Sequence, residues 1–356
     1  MAAGWSGVSV SLIIVSFNGR SLLRDCLESL EAQIRRPDEV IVVDNGSSDQ
    51  SVSMVRDEFP WVRLIEAGEN LGFAAGNNLG IRAATGEIII LLNNDTIPAP
   101  GFVESILAPL DEDQDLSAVS GVMLFVNQPE IVATSGIQVF SNGLALDRDA
   151  GSPWRSMSGN RPVFGPSGGA MAIRRSALDD VDLFPEPFFL YLEDVDLAWR
   201  MRLRNHHTVS SPAAWVLHHY SASSIEGSAF KDYFLARNRF WVLLRCWPRS
   251  FWIRFGFEVV VYELGALIYA IATGRWGSVR GRIAGWQGVS RLSRVRQRIR
   301  HRTTSSEVDL LYWICSALSV RNYLSFRKRL SLLAGGGHSN EQSLNERSAG
   351  PDVHSR

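Results

Sequence analysis

Cysteine is scarce in this chain. Cys26, Cys246 and Cys315 are the three among 356 residues, odd in number and far apart. That pattern excludes a disulfide framework and a spaced-thiolate zinc site, and it points to a reducing compartment. An excess of one charge is missing too, with Lys+Arg 36 against Asp+Glu 37. The apolar stretch at residues 8–15 lacks a basic flank and a small-residue cleavage site, so it reads as a first strand rather than a signal peptide. No Gly-x-Gly-x-x-Gly follows that strand, and no phosphate-loop lysine motif occurs. Phosphate must then be held another way. A divalent cation on a carboxylate is the direct alternative, because hard cations bridge pyrophosphate oxygens.

A charge-free run long enough to span a bilayer is also absent. Residues 251–272 have the length, but Arg254, Glu258 and Glu263 interrupt them. Each central charge costs roughly 2.5 to 3.5 kcal/mol, against about 0.3 to 0.6 gained per large aliphatic residue or Phe. The eleven such residues barely offset three charges. An in-plane membrane helix fits better than a span, with burial in a helical second domain as the alternative. The balanced total charge also hides a block of arginines between Arg275 and Arg302. Such a block suits an anionic partner such as a membrane surface, a lipid phosphate or a nucleic acid, or is simply a solvated basic helix.

What is present is an alternation of short apolar runs and helical periods. Residues 8–16, 39–43, 61–65 and 88–92 read as strands, and the segments between them carry apolar residues at helical spacing. This predicts four parallel strands with right-handed crossovers, an α/β half of nucleotide-binding type. Ser47 and Gln50 have the spacing of a capping box before the second helix. Asn18, Asp44 and Asp95 each fall just past an apolar run, so one sheet edge collects them, and that edge is where open α/β sheets bind ligands.

Further on, a helix near residues 102–110 and a strand near 118–126 precede a Gly, Ser and Pro rich stretch at 135–167, where no element can be placed. Gly168 and Gly169 allow a close backbone approach or a plain tight turn before another strand. Prolines 185 and 187 keep the following aromatics out of a helix, and a new helix is expected close to Glu193. Asp196 is explained by pairing with Arg200 one turn on. Glu193 and Asp194, adjacent carboxylates after an aromatic run, fit a catalytic base better. His218 and His219 follow a strand-like segment, and one of them is a metal-ligand candidate. Helical patterns cover 230–246, 251–272, 279–299 and 308–324, and a Gly, Ser and Asn rich tail from 335 reads as disordered.

Taken together, six motifs in order resemble family 2 glycosyltransferases of the GT-A fold, most of all the bacterial rhamnosyltransferase-like group. They are Val15-Ser16-Phe17-Asn18, Val43-Asp44-Asn45-Gly46-Ser47-Ser48-Asp49, Glu69-Asn70-Leu71-Gly72-Phe73-Ala74-Ala75-Gly76-Asn77-Asn78, Leu92-Asn93-Asn94-Asp95-Thr96, Phe189-Leu190-Tyr191-Leu192-Glu193-Asp194-Val195-Asp196-Leu197 and His218-His219.

The resemblance implies a mostly parallel central sheet flanked by helices, with a helical C-terminal region. Its domains would be a GT-A unit at 1–225 (nucleotide-binding half 1–100, acceptor half 101–225), a membrane-associated helical region at 226–330 and a disordered tail at 331–356. It also implies residue roles. Ser16, Phe17, Asn18, Asp44, Asn45, Gly72, Asn77 and Asn94 would line the nucleotide, with Asp44 on the base. Asp95 and His218 would hold Mg2+ or Mn2+, with His219 the register alternative. Asn93 stands where the metal motif often has Asp. Asp194, beside Glu193, would deprotonate the acceptor hydroxyl, and Gly168, Gly169 and Trp199 would contact the acceptor. The implied reaction is inverting transfer of one sugar, such as a deoxyhexose, from a nucleotide-diphosphate sugar to a lipid-linked or cell-envelope glycan. The implied place is the cytoplasmic membrane face, with no nucleic-acid partner. The Gln-x-x-Arg-Trp motif of processive synthases is absent, since Leu292 follows Arg291. A non-catalytic nucleotide-sugar-binding scaffold is the competing expectation. A nucleotidyltransferase or sugar dehydrogenase is disfavoured because the phosphate loops of both are missing.

Overall fold

The computed structural model describes residues 7–219 and 228–333. Most of the expected disordered tail, and the expected boundary at 225, lie outside the described residues. The first half alternates strictly: β1 (Val10–Ser16), α1 (Arg20–Glu31), β2 (Glu39–Asp44), α2 (Ser51–Glu58), β3 (Arg63–Glu66), α3 (Gly72–Ala83) and β4 (Ile88–Asn93). These four strands are parallel, in the order β3-β2-β1-β4. In β4 the residues Ile88, Ile90 and Leu92 enter one apolar cluster while Ile89 and Leu91 enter another, so both faces are buried. That two-sided burial is why the strand reads as an unbroken apolar run.

The capping box expected at Ser47 and Gln50 does not form. The Ser47 hydroxyl instead accepts from the Asn18 backbone N–H at 3.0 Å. Asp49 takes over, accepting from the N–H of Ser51 at 3.1 Å through Oδ1 and from that of Arg20 at 2.8 Å through Oδ2.

The second half continues with β5 (Thr96–Pro98), α4 (Phe102–Glu112), β6 (Leu116–Phe125), β7 (Gln128–Thr134), β8 (Ile137–Phe140), β9 (Ala145–Asp147), β10 (Arg161–Pro162), β11 (Ala170–Arg174), α5 (Arg175–Val181), α6 (Glu193–Leu203) and β12 (His207–His218). Here the sheet becomes mixed. β11 runs antiparallel between β4 and β6, β12 runs parallel to β6, and β5 pairs antiparallel with β12. An all-parallel order is thus a property of the nucleotide half alone. One face of the sheet packs on α1, α2 and α4, the other on α3, α5 and α6.

The C-terminal region comprises α7 (Ala229–Cys246), α8 (Arg249–Ala272), α9 (Trp276–Gln287), α10 (Val289–Arg302), α11 (Glu307–Leu311), β13 (Ile314–Cys315) and α12 (Val320–Leu333). The helical pattern expected across 279–299 is two helices, and that across 308–324 is interrupted by β13, which joins β8 and β9 in a small sheet. α9 lies close on α7 because Gly277 and Gly281 present no side chain; a Cβ on either would meet the carbonyl of Ala229 or Tyr233 at 2.2 Å. An apolar cluster with Trp199, Leu243, Trp247 and Phe251 joins α6 to α7 and α8. The helical region is therefore packed onto the sheet domain.

Candidate active site

Three loops at the carboxyl ends of β1, β2 and β4 form one edge, and side chains lock them together. Asn94 donates to the Ser16 hydroxyl at 3.1 Å, and Asn18, at φ +49°, accepts from the Ser48 N–H at 2.8 Å. Asp44 accepts from the N–H groups of Gly46 and Ser47, both at 3.0 Å, through a single oxygen, Oδ2. Its other oxygen is buried without a hydrogen bond. A buried acceptor left open is costly in an isolated domain and suits a ligand N–H. Asn45 donates to the Gly72 carbonyl at 3.0 Å, fixing the start of α3. Phe17 stays exposed at the rim.

Asp95 follows β4 and is 4% exposed. The β5–β12 ladder pairs Thr96 with His218, and the N–H of His219 donates to the Asp95 carbonyl at 3.0 Å. That register brings His218 Nε2 to 3.3 Å from Asp95 Oδ1. The approach lacks hydrogen-bond alignment, for Asp95 Oδ1 has no hydrogen-bond partner. A carboxylate oxygen and an imidazole nitrogen are atoms of the type that could hold a divalent cation. No cluster of three or more His, Cys, Asp or Glu with metal-site spacing occurs among the described residues. This pair would therefore supply part of a coordination shell and leave the rest to a bound diphosphate.

Glu193 and Asp194 open α6. Asp194 accepts from the N–H of Gly168 at 3.0 Å and of Val195 at 2.8 Å. Burial pushes its carboxyl above the usual aspartate range, and these N–H groups hold it back. Glu193 is driven well above its ordinary value, first by burial and then by the charge of Asp194, and Glu193 Oε2 has no hydrogen bond. Two adjacent carboxyls are thus split, with Glu193 the more readily protonated of the pair. The loop before them is strained: Phe189, Tyr191 and Leu192 all have φ between 65° and 70°. Such backbone costs of order 1–3 kcal/mol per residue and needs outside support. Asn238 of α7 supplies it, donating to the carbonyls of Phe188, Leu190 and Tyr191 at 3.0, 2.9 and 2.8 Å.

A nucleotide edge, a convergent Asp–His pair and a buried acid on a helix start belong to sugar-transfer chemistry, and comparison with known proteins agrees. Residues 11–182 match the model of Glycosyl transferase family 2. The chain is similar to an N-acetylglucosaminyl-diphospho-decaprenol L-rhamnosyltransferase of Mycobacterium tuberculosis, at 30% identity over 60% of this chain and 76% of the relative. This chain belongs to glycosyltransferase family 2. It is also similar to the low-salt glycan biosynthesis hexosyltransferase Agl10 of Haloferax volcanii, at 24% identity over 65% and 74% of the two chains. Two solved structures share its GT-A fold. One is the mannosyltransferase PcManGT of Pyrobaculum calidifontis in complex with GDP-Man and Mn2+, with TM-score 0.51 and 18% identity over 94% and 90% of the chains. The other is GalNAc-T7 with UDP, GalNAc and Mn2+, with TM-score 0.53 and 17% identity over 76% of this chain and 58% of that one.

In this glycosyltransferase several expected contacts are placed differently. Trp199 is 2% exposed and packed against the rings of Phe164, Trp247 and Phe251, so it is a core residue and not an acceptor contact. Asn77 is buried and donates to the Phe73 carbonyl one turn back at 2.9 Å, inside α3. Gly168 serves the acid, through the N–H that binds Asp194. Gly169 packs under the sheet, where a Cβ would meet the Met123 methyl at 2.8 Å, and its carbonyl accepts from Asn93. Gly72, at φ +75°, lets Phe189 close on α3, since a Cβ there would meet the Phe189 carbonyl at 2.5 Å.

Two residues were not singled out by sequence. Asn238 sits mid-helix, with no local signal beyond the low helix propensity of asparagine. Asp147 ends β9, and burial together with the charge of Asp194 pushes its carboxyl up to about 6. Asp147, Glu193 and Asp194 are thus three carboxyls whose pKa is raised by burial.

Proposed function

We propose that the enzyme transfers a single sugar, a deoxyhexose such as rhamnose, from a nucleoside-diphosphate sugar to a hydroxyl of a lipid-linked glycan at the cytoplasmic face of the membrane. The observation that carries this reading is the shared edge of Asp44, Asp95 and His218, with the half-buried carboxylate of Asp194 at the start of α6. The name of the mycobacterial relative supports both the deoxyhexose and the lipid diphosphate.

Asp44 Oδ1 accepts from the nucleotide base, and the Ser16, Asn18, Asn45 and Asn94 loops shape the nucleotide seat. Asp95 and His218 hold a divalent cation, Mg2+ or Mn2+, which when bound neutralises charge on the departing diphosphate. Asp194 takes the proton of the acceptor hydroxyl as that oxygen bonds to the anomeric carbon and the bond to diphosphate breaks. The attack comes from the face opposite the leaving group, so the configuration inverts. A positioned base of this kind contributes typically about 10² to 10⁴ in rate.

The deciding experiment screens nucleotide sugars with a lipid-diphosphate-linked acceptor in detergent and reads nucleoside diphosphate release. We expect release with one donor class, loss with EDTA and recovery with Mn2+. Tight nucleotide binding without release for any donor and acceptor would instead make the protein a binding scaffold.

A further inference from the structure

Leu192, the residue before Glu193, also forms part of the wall of a cavity of about 470 Å3 between α7, α8, α9 and α12. Five cations line it: Arg239, Arg275, Arg282, Arg327 and Lys328. Asp232 pairs with Arg275, Nε to Oδ2 at 2.7 Å. Glu263 is shared by Arg239 and by Arg282, the latter at 2.7 Å. These two carboxylates thus engage Arg275, Arg239 and Arg282, and the lining as a whole holds more cationic than acidic residues. The Arg239 side chain is 8% exposed and its Nε has no hydrogen bond among the described residues. Burial lowers its pKa to about 10, which leaves it charged at neutral pH. Between the cations the wall is apolar, with Leu235, Ala266 and Leu324.

The same helix that closes this cavity is bare on its other side. Ile253, Phe257, Val260, Leu264, Ile268 and Ile271 of α8 are each more than half exposed. Their spacing of three and four residues puts them on one stripe. α8 is long and apolar enough to cross a membrane by length and composition. However, it packs along its other side on α9 and α12, and Glu263 at its middle is held by two arginines. An apolar stripe outside and a cationic chamber behind it match an amphiphile with a polyanionic head.

We propose that this cavity seats the phosphate groups of a lipid-linked diphosphate acceptor while the α8 stripe lies in the interface of the membrane carrying that lipid. The inference rests on the reading of the acceptor as lipid-linked. Guanidinium groups bind diphosphate oxygens in paired, directional fashion, and the apolar wall accommodates the first isoprenoid carbons. Leu192 belongs to the loop that leads into Asp194, so the cavity wall and the proposed base share one segment.

The test uses the full chain and flotation with phosphatidylcholine vesicles carrying a few per cent of a polyprenyl diphosphate. Control vesicles carry phosphatidylglycerol at matched charge. The wild type is expected to float preferentially with the diphosphate lipid. Arg327→Ala with Lys328→Ala, and separately Ala266→Phe to fill the chamber, should each weaken that preference about tenfold. Nucleoside diphosphate binding, which reports the distant strand edge, serves as the folding control. Equal flotation with both vesicle types, or a preference unchanged in both variants, overturns the cavity assignment. Full displacement by equimolar inorganic pyrophosphate overturns its lipid part. Failure of the wild type to glycosylate any lipid diphosphate, despite preferential flotation, would sink the functional reading and leave the cavity standing.

Discussion

The backbone N–H of Gly168 donates to Asp194 Oδ2 at 3.0 Å, so the chain entering β11 holds the proposed base on α6. Asp194→Asn keeps the shape and removes the proton acceptor. Turnover should fall about 10² to 10⁴ while nucleotide binding stays as in the wild type. Single-turnover kinetics beside nucleotide titration separates the two, and undiminished turnover would remove Asp194 from the mechanism.

The same carboxyl sets a pH dependence. Its folded pKa is raised by burial, so the ionised base is lost as pH falls through a value above the ordinary ~3.9. The acid limb of the kcat profile should lie above that value. Stability runs the other way. A raised acid pKa means the unfolded state releases this proton more easily, so native stability declines as pH rises from the unfolded to the folded value.

Glu193 offers a contrast. Its carboxyl is held toward the protonated form by burial and by Asp194. Glu193→Gln removes the titrating carboxyl at nearly constant size and should retain most activity. Loss as deep as that of Asp194→Asn would show that Glu193 is ionised during turnover.

Asn238 is 0% exposed and satisfies three carbonyls with one side chain. Asn238→Ala removes that donor from the Leu190 and Tyr191 carbonyls, while the Phe188 carbonyl keeps Arg237 at 2.9 Å, and each buried unsatisfied group costs about 1–3 kcal/mol. The expected outcome is a lower unfolding midpoint together with reduced kcat, because the loop carrying Leu192 and Glu193 relaxes. Nucleotide affinity, set at the strand edge, should change little.

Asp196 is fully buried between Arg200 and Arg245, with nitrogen–oxygen distances of 2.7 and 2.6 Å. Burial alone would raise its pKa, yet the two guanidinium groups win and hold it below the usual range. Its stabilisation is present above the ordinary carboxylate pKa and disappears as pH falls through the lowered folded value. Asp196→Ala strands two buried cations and should cost about 3–5 kcal/mol in chemical denaturation at neutral pH. A loss below 1 kcal/mol would mean that water reaches the arginines.

The nucleotide half was legible because β1, β2 and β4 are apolar runs buried on both faces, as in Ile88 to Leu92, with their polar ends at the edge. The stretch at 135–167 was not. Its strands are two to four residues long, and pairs such as Ile137 with Asp147 carry no local period. The motif around Glu193 placed the helix start correctly, but the three left-handed residues before it are imposed by Asn238, far along the chain. Trp199 illustrates the same limit. An aromatic beside a catalytic motif looks like a binding residue until the packing of Trp247 and Phe251 is known. The arginine block divided as well, with Arg282 turned inward onto Glu263 while Arg294 and Arg298 face solvent.

The pairing of Thr96 with His218 has a consequence for synthesis on the ribosome. Asp95 emerges early, within a parallel sheet that can begin to condense from its own strands. Its imidazole partner, and the amide that braces the Glu193 loop, emerge only with β12 and α7. Nucleotide recognition can therefore mature well before sugar transfer, and a nascent chain stopped between β4 and β12 would carry the nucleotide edge without its cation-binding partner.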